Sequence, residues 1–158
     1  MAAFIGSPPA VLVSAPMEAA GGVRARIGPW TVCLPDNLAV GGDRVVVGLR
    51  PEAFIEPGGP TVTGAVRPLA PVRVIDAEPL GAVTNVSFQV DIEPVTVDPG
   101  VGDGGPAPLR TEPAPTRLVA QVDGRRHVQV GDALELDLDV SRLLFFNPAD
   151  GRALSVGR

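Results

Sequence analysis

Val, Ile and Leu fall in short runs along this chain, at residues 10–13, 31–34, 44–49, 72–75, 83–92, 118–122, 134–138 and 143–146, and Gly, Pro or Asp punctuates each run. That spacing predicts a small β-barrel or sandwich. No segment sustains apolar residues at i, i+3, i+4 and i+7 over three turns, so the pattern predicts short helices or none. The clearest local signal spans residues 118–130, where Asp123-Gly124 divides two strand-like runs in the manner of a tight hairpin. Beyond it, Leu134, Leu136 and Leu138 alternate with Glu135, Asp137 and Asp139. A half-buried strand with its acidic face in water is expected there.

Residues 94–115 carry too much Pro and Gly for a continuous ladder, because Pro lacks the amide donor and Gly raises the entropy cost of ordering. This stretch is expected to be a mobile surface loop. Gly58-Gly59-Pro60 marks a shorter break between two possible β-units. With 158 residues, 45% of them apolar, the chain holds one ordinary domain or a pair of fused β-units on one core.

All thirteen basic residues are Arg, they are scattered, and the net charge is −5. No basic stripe follows a phosphate backbone, so nucleic acid is not an expected partner. The absence of Tyr and the presence of a single Trp also leave few stacking platforms for single strands. Cys33 is the only cysteine and lacks the neighbours of a zinc site, which fits a reducing cytosol. The first seventeen residues are uncharged but have no basic n-region and are interrupted by Pro8, Pro9 and Pro16, so they read as mature protein. Nowhere do about 18 apolar residues run together, the length a spanning helix needs.

Candidate chemistry is sparse. His127 is the only imidazole, no triad pattern surrounds it, and its position beside Arg125 and Arg126 predicts an exposed strand residue. Glu135, Asp137 and Asp139 lie in line rather than converging on a cation. Trp30, between Pro29 and Thr31, is expected in core or rim packing. No GxxxxGK[ST] segment occurs, so this chain has no phosphate-cradling loop of its own.

Four short motifs occur in order: FIGSP at residues 4–8, VGLRPEAF at 47–54, EPLG at 78–81 and SRLLFFNPADGRAL at 141–154. Together they resemble the C-terminal region of the ATP-binding subunits of bacterial carbohydrate importers of the ABC class, the family of the maltose importer ATPase. The resemblance implies an all-β, OB-like barrel of the transport-associated (TOBE) type, with residues 1–9 as the junction from a missing ATPase domain and 10–158 as a regulatory and dimerisation domain. ATP and magnesium would bind in that missing domain, so no cofactor is expected in this chain. The implied partners are the chain's own ATPase domain, a second copy of the subunit, the permease through the ATPase domain, and a regulatory protein. The implied location is cytoplasmic, on the inner face of the membrane.

Within the motifs, Phe4, Gly6, Ser7 and Pro8 would form the junction, Gly6 relaxing the backbone and Pro8 fixing its exit. Arg50, Pro51 and Glu52 would lie near the ATPase boundary; a guanidinium fork, a fixed turn and a carboxylate suit either interdomain contact or internal bracing. Leu80-Gly81 reads as a turn at a strand end, and Phe145, Phe146 and Gly151 as structural positions. Some positions depart from the family: Ala53 stands where a His is usual, Ala10-Val11 replaces Met-Asn, Val83 replaces an acid, and Leu144 and Asn147 replace His and Asp. These bear on the regulator and the sugar, not on the fold. A second reading makes the chain a TOBE module that captures a small oxyanion, with Thr84, Asn85 and Ser87 as candidate donors.

Overall fold

The valine run RVVVGL has no polar alternation, which suits a strand covered on both faces, and it forms β4 (Arg44–Leu49) at the middle of a sheet. In the computed structural model, residues 10–19, 21–36, 38, 40–57, 66–97, 108–110, 112 and 114–154 are described, with backbone alone for 66–68, 96–97 and 108–110. β4 pairs antiparallel with β1 (Val11–Ala19) on one side and β14 (Leu144–Phe146) on the other, and β2 (Val23–Ile27) and β3 (Trp30–Cys33) extend the sheet beyond β1. Val45, Val47 and Leu49 face the main core. Val46 turns the opposite way and packs with Leu12, Val95 and Phe146.

A second sheet, in the order β11-β8-β7-β12, is built from β7 (Val72–Pro79), β8 (Val83–Ile92), β11 (Ala114–Asp123) and β12 (Ala133–Leu134). β7 and β8 join through a tight turn in which the Leu80 amide donates to the Val83 carbonyl. Gly81 holds φ +92° there, a conformation that a side chain disfavours. A bulge between Val74 and Asp76 leaves Ile75 partly exposed. The third sheet places β13 (Asp137–Asp139) between β5 (Phe54–Ile55) and β6 (Val66–Pro68).

The three sheets meet on one aromatic cluster. Trp30 of β3, Phe54 of β5 and Phe88 of β8 pack edge to face, with ring centroids 5.4–6.4 Å apart. Each such pair adds about 0.5–1.5 kcal/mol beyond its buried area. One hydrophobic core runs through all three sheets. The chain is all-β: among the described residues the only helical turns are single 3-10 turns at Pro51–Ala53 and Val140–Arg142. This agrees with the short strands expected from the hydrophobic pattern and is consistent with the all-β, OB-like fold that the resemblance implies, and Trp30 is a core residue as anticipated.

Several local expectations are corrected. No hairpin forms across residues 118–130. β11 ends at Asp123 and pairs along its whole length with β8, while residues 125–130 form no strand. Of those residues only Val128 is even half-buried, too little apolar surface to hold a strand in place, whereas β8 offers a ten-residue partner with one apolar face in the core. His127 is therefore exposed, but outside any strand.

The leucines at 134, 136 and 138 are buried as predicted, yet the strand breaks between β12 and β13, because the chain passes from the second sheet to the third. The Leu136 carbonyl in the break accepts from the Leu69 amide at 3.0 Å. Asp139 is buried rather than facing water, its carboxylate taken up by Ser141 and Arg142. Part of the segment 94–115 is also ordered: β9 (Val95–Val97) and β10 (Pro108–Arg110) form an antiparallel pair. Val-Thr-Val is strand-forming, and Pro108 begins its strand, where a missing amide is tolerated. Gly58-Gly59-Pro60 lies outside the described residues.

Candidate functional site

Arg50 ends the β4 segment in an extended conformation, and its carbonyl accepts from the Ala53 amide across the first 3-10 turn. Pro51 at the head of that turn is buried, and Ala53 and Phe54 plunge into the core. Glu52 is exposed. Its backbone carbonyl accepts from the Arg142 guanidinium at 3.0 Å, ninety residues further along the chain.

Arg142 also pairs with Asp139 at 3.2 Å. Asp139 caps the second 3-10 turn by accepting from the Ser141 amide and hydroxyl, so its burial leaves its carboxylate fully engaged. The segments VGLRPEAF and SRLLFF are thus tied together twice, by this guanidinium and by the β4–β14 ladder, in which Phe145 pairs with Val47 and Phe146 with Val46. Phe145 is a main-core residue, and Phe146 belongs to the smaller cluster on the far face of β4. Gly151 closes a turn whose amide donates to the Asn147 carbonyl at 2.8 Å.

The third motif joins the same region. Gly124 lies against the β7–β8 turn so tightly that its amide donates to the Ala82 carbonyl at 3.0 Å. Glu56, two residues past Phe54, clamps the neighbouring turn by accepting from the Asp123 amide at 3.0 Å and from the Arg126 guanidinium at 2.6 Å. Leu80 in the EPLG turn is exposed, and Gly81 takes the predicted role. VGLRPEAF and SRLLFF are thus in direct contact, and the EPLG turn reaches the chain just past VGLRPEAF through residues 123–126. Phe4, Gly6, Ser7 and Pro8 lie outside the described residues. Sequence reading missed Glu56 and Arg142, whose ties to Asp123, Arg126 and Glu52 span 67, 70 and 90 residues and carry no local signature, and it put Asp139 on a solvated face.

The oxyanion candidates do not converge. Asn85 and Ser87 share the outer face of β8, while Thr84 lies on the opposite, core-facing side. The Ser87 hydroxyl accepts from Arg117, which also pairs with Asp76.

At the other end of β8 lies a cleft of about 590 Å³. β7 and β8 pair only from Val74 and Phe88 toward their shared turn; beyond Phe88, β8 keeps only β11, while Val72 and Arg73 pair with β12. The strands part, and the β2–β3 turn lies over the gap. Gly28 in that turn has φ +57°, and a Cβ there would lie 2.5 Å from the Asp91 carbonyl oxygen, so close approach and backbone conformation both require glycine. At the cleft margin Arg44 ties Glu93 to the Ser14 hydroxyl, and the Ser14 amide donates to the Glu93 carbonyl. Trp30 lines the cleft, and its indole N–H is buried without a partner among the described residues.

Among the described residues, no helix is long and apolar enough to cross a membrane. The chain matches no family model and no curated protein.

Proposed function

We propose that this chain is the C-terminal regulatory and dimerisation domain of an ATP-binding subunit that energises carbohydrate import through an ABC-class transporter. The observation that carries the reading is the set of ties between the motifs. VGLRPEAF and SRLLFFNPADGRAL, singled out by their resemblance, touch through Arg142 and the β4–β14 ladder, and the EPLG turn is joined to the chain just past VGLRPEAF through Gly124, Asp123 and Glu56.

In this reading the chain performs no chemistry. Two copies meet through their β surfaces, and the difference in contact energy between open and closed arrangements biases how readily the attached ATPase domains separate. ATP and magnesium are the business of those domains, and the transported sugar is chosen elsewhere in the assembly.

The coding region around this chain decides the parentage. The reading requires a Walker phosphate loop and an LSGGQ-type signature encoded just upstream of the codon for Phe4, and a region with neither overturns it. Sedimentation of the chain over a wide concentration range decides the pairing, with a concentration-dependent dimer as the expected result.

A further inference from the structure

We infer that the cleft where β7 and β8 part binds a neutral polyhydroxylated ring, a free mono- or disaccharide. The inference goes beyond the regulatory reading and does not depend on it.

The volume of about 590 Å³ falls within the roughly 300–1,000 Å³ of small-molecule sites. Its charged lining is balanced: Arg26 and Arg73 stand against Asp91 and Glu93. Arg26 is already paired with Glu18, and Glu93 with Arg44. Arg73 and Asp91 remain, one cation and one anion, so the cleft favours neither an anionic nor a cationic ligand. Arg73, Gln89 and Asp91 have no side-chain partner among the described residues. Together they offer a fork of donors, an amide that both donates and accepts, and a carboxylate acceptor.

Sugar hydroxyls, which donate and accept at adjacent carbons, satisfy that mixture without introducing a charge. The remaining walls include the rings of Pro16, Pro29 and Pro71, apolar surface for the C–H faces of a pyranose. Gly28 keeps the roof of the cleft fixed on the β8 backbone, so the site is formed before a ligand arrives.

Trp30 is the only tryptophan and lines the cleft, so its fluorescence reports occupancy directly. The folded chain is titrated with glucose, maltose and trehalose, and in parallel with inorganic phosphate and glycine, with calorimetry as a second readout. A saturable response to at least one of the neutral sugars is expected. Arg73→Ala and Asp91→Asn should each weaken it by about tenfold or more, the loss of one charge-assisted hydrogen bond. Both positions are exposed, so the fold is retained, as circular dichroism would verify; Arg125→Ala, away from the cleft, should leave binding unchanged.

No saturable response to any of the three sugars overturns the inference. So does sugar binding that both cleft variants leave intact, or a response to phosphate or glycine alone. A chain that dimerises and lies downstream of a Walker-bearing sequence but ignores sugars loses this inference and keeps the regulatory reading. The opposite result does the reverse.

Discussion

Replacing Gly124 by Ala tests whether the motif cluster is held as tightly as its contacts suggest. A methyl group there would lie 2.1 Å from the Gly81 carbonyl oxygen, 2.9 Å from the Ala82 carbonyl carbon and 3.0 Å from the Ala82 carbonyl oxygen. These are backbone atoms and cannot rotate aside, so the β7–β8 turn must retreat. Retreat breaks the Gly124 amide bond to Ala82, worth about 0.5–1.5 kcal/mol, and the overpacking itself costs about 1–3 kcal/mol. The expected destabilisation is about 2–4 kcal/mol.

Gly81→Ala provides the contrast. Nothing lies within 4 Å of its added Cβ, so only the positive φ opposes the change, at about 1–2 kcal/mol. Urea unfolding followed by Trp30 fluorescence measures both as shifts in the transition midpoint. A Gly124→Ala protein within about 0.5 kcal/mol of the parent, the usual range for surface substitutions, would refute the close approach. So would one less affected than Gly81→Ala.

Phe88→Ala removes the ring shared by two edge-to-face contacts at a fully buried site and should cost about 3–5 kcal/mol in the same urea assay. Asp139→Ala deletes the cap of the second 3-10 turn and should cost about 0.5–2 kcal/mol, since Arg142 is half exposed and stays hydrated. Glu18→Ala, which breaks an exposed pair with Arg26, should change stability by less than about 1 kcal/mol. In amide hydrogen exchange, residues 90–92 of β8 should open before residues 85–88, because only the latter have strands on both sides.

What the sequence revealed follows from which forces act locally. β4 and β8 were legible to the residue, since an unbroken valine run and a polar-apolar alternation bounded by turn residues each impose a strand wherever they lie. The Gly81 turn was legible because a positive φ is a local demand. The Asp123-Gly124 hairpin was not, because the same dipeptide serves a tight approach to the β7–β8 turn, and the ten-residue ladder with β8 outcompeted residues 125–130 as a partner for β11.

Asp139 misled for a similar reason. Its place in an alternating series pointed outward, but its carboxylate was committed to Ser141 and Arg142. The polar positions Gln89 and Asp91 could be read as facing away from the core. That they face a cleft depends on where β7 leaves β8, and that departure is set by the pairing of Val72 and Arg73 with β12, some sixty residues away in sequence.

β8 gives the molecule its axis. At about 3.3 Å per residue its ten residues span roughly 30 Å, from the Gly124 and Glu56 ties at Val83 to the cleft at Ile92. Phe88 lies between them, fully buried and locked against Trp30 and Phe54. A close-packed junction of this kind does not deform by degrees; it transmits a shift as a unit or resists it. Occupancy of the cleft therefore influences the motif end only if β8 has two arrangements that the ligand distinguishes, and the influence cannot exceed that difference in affinity. Trp30 lines the cleft and packs against the Phe88 ring, so its fluorescence would register such a shift.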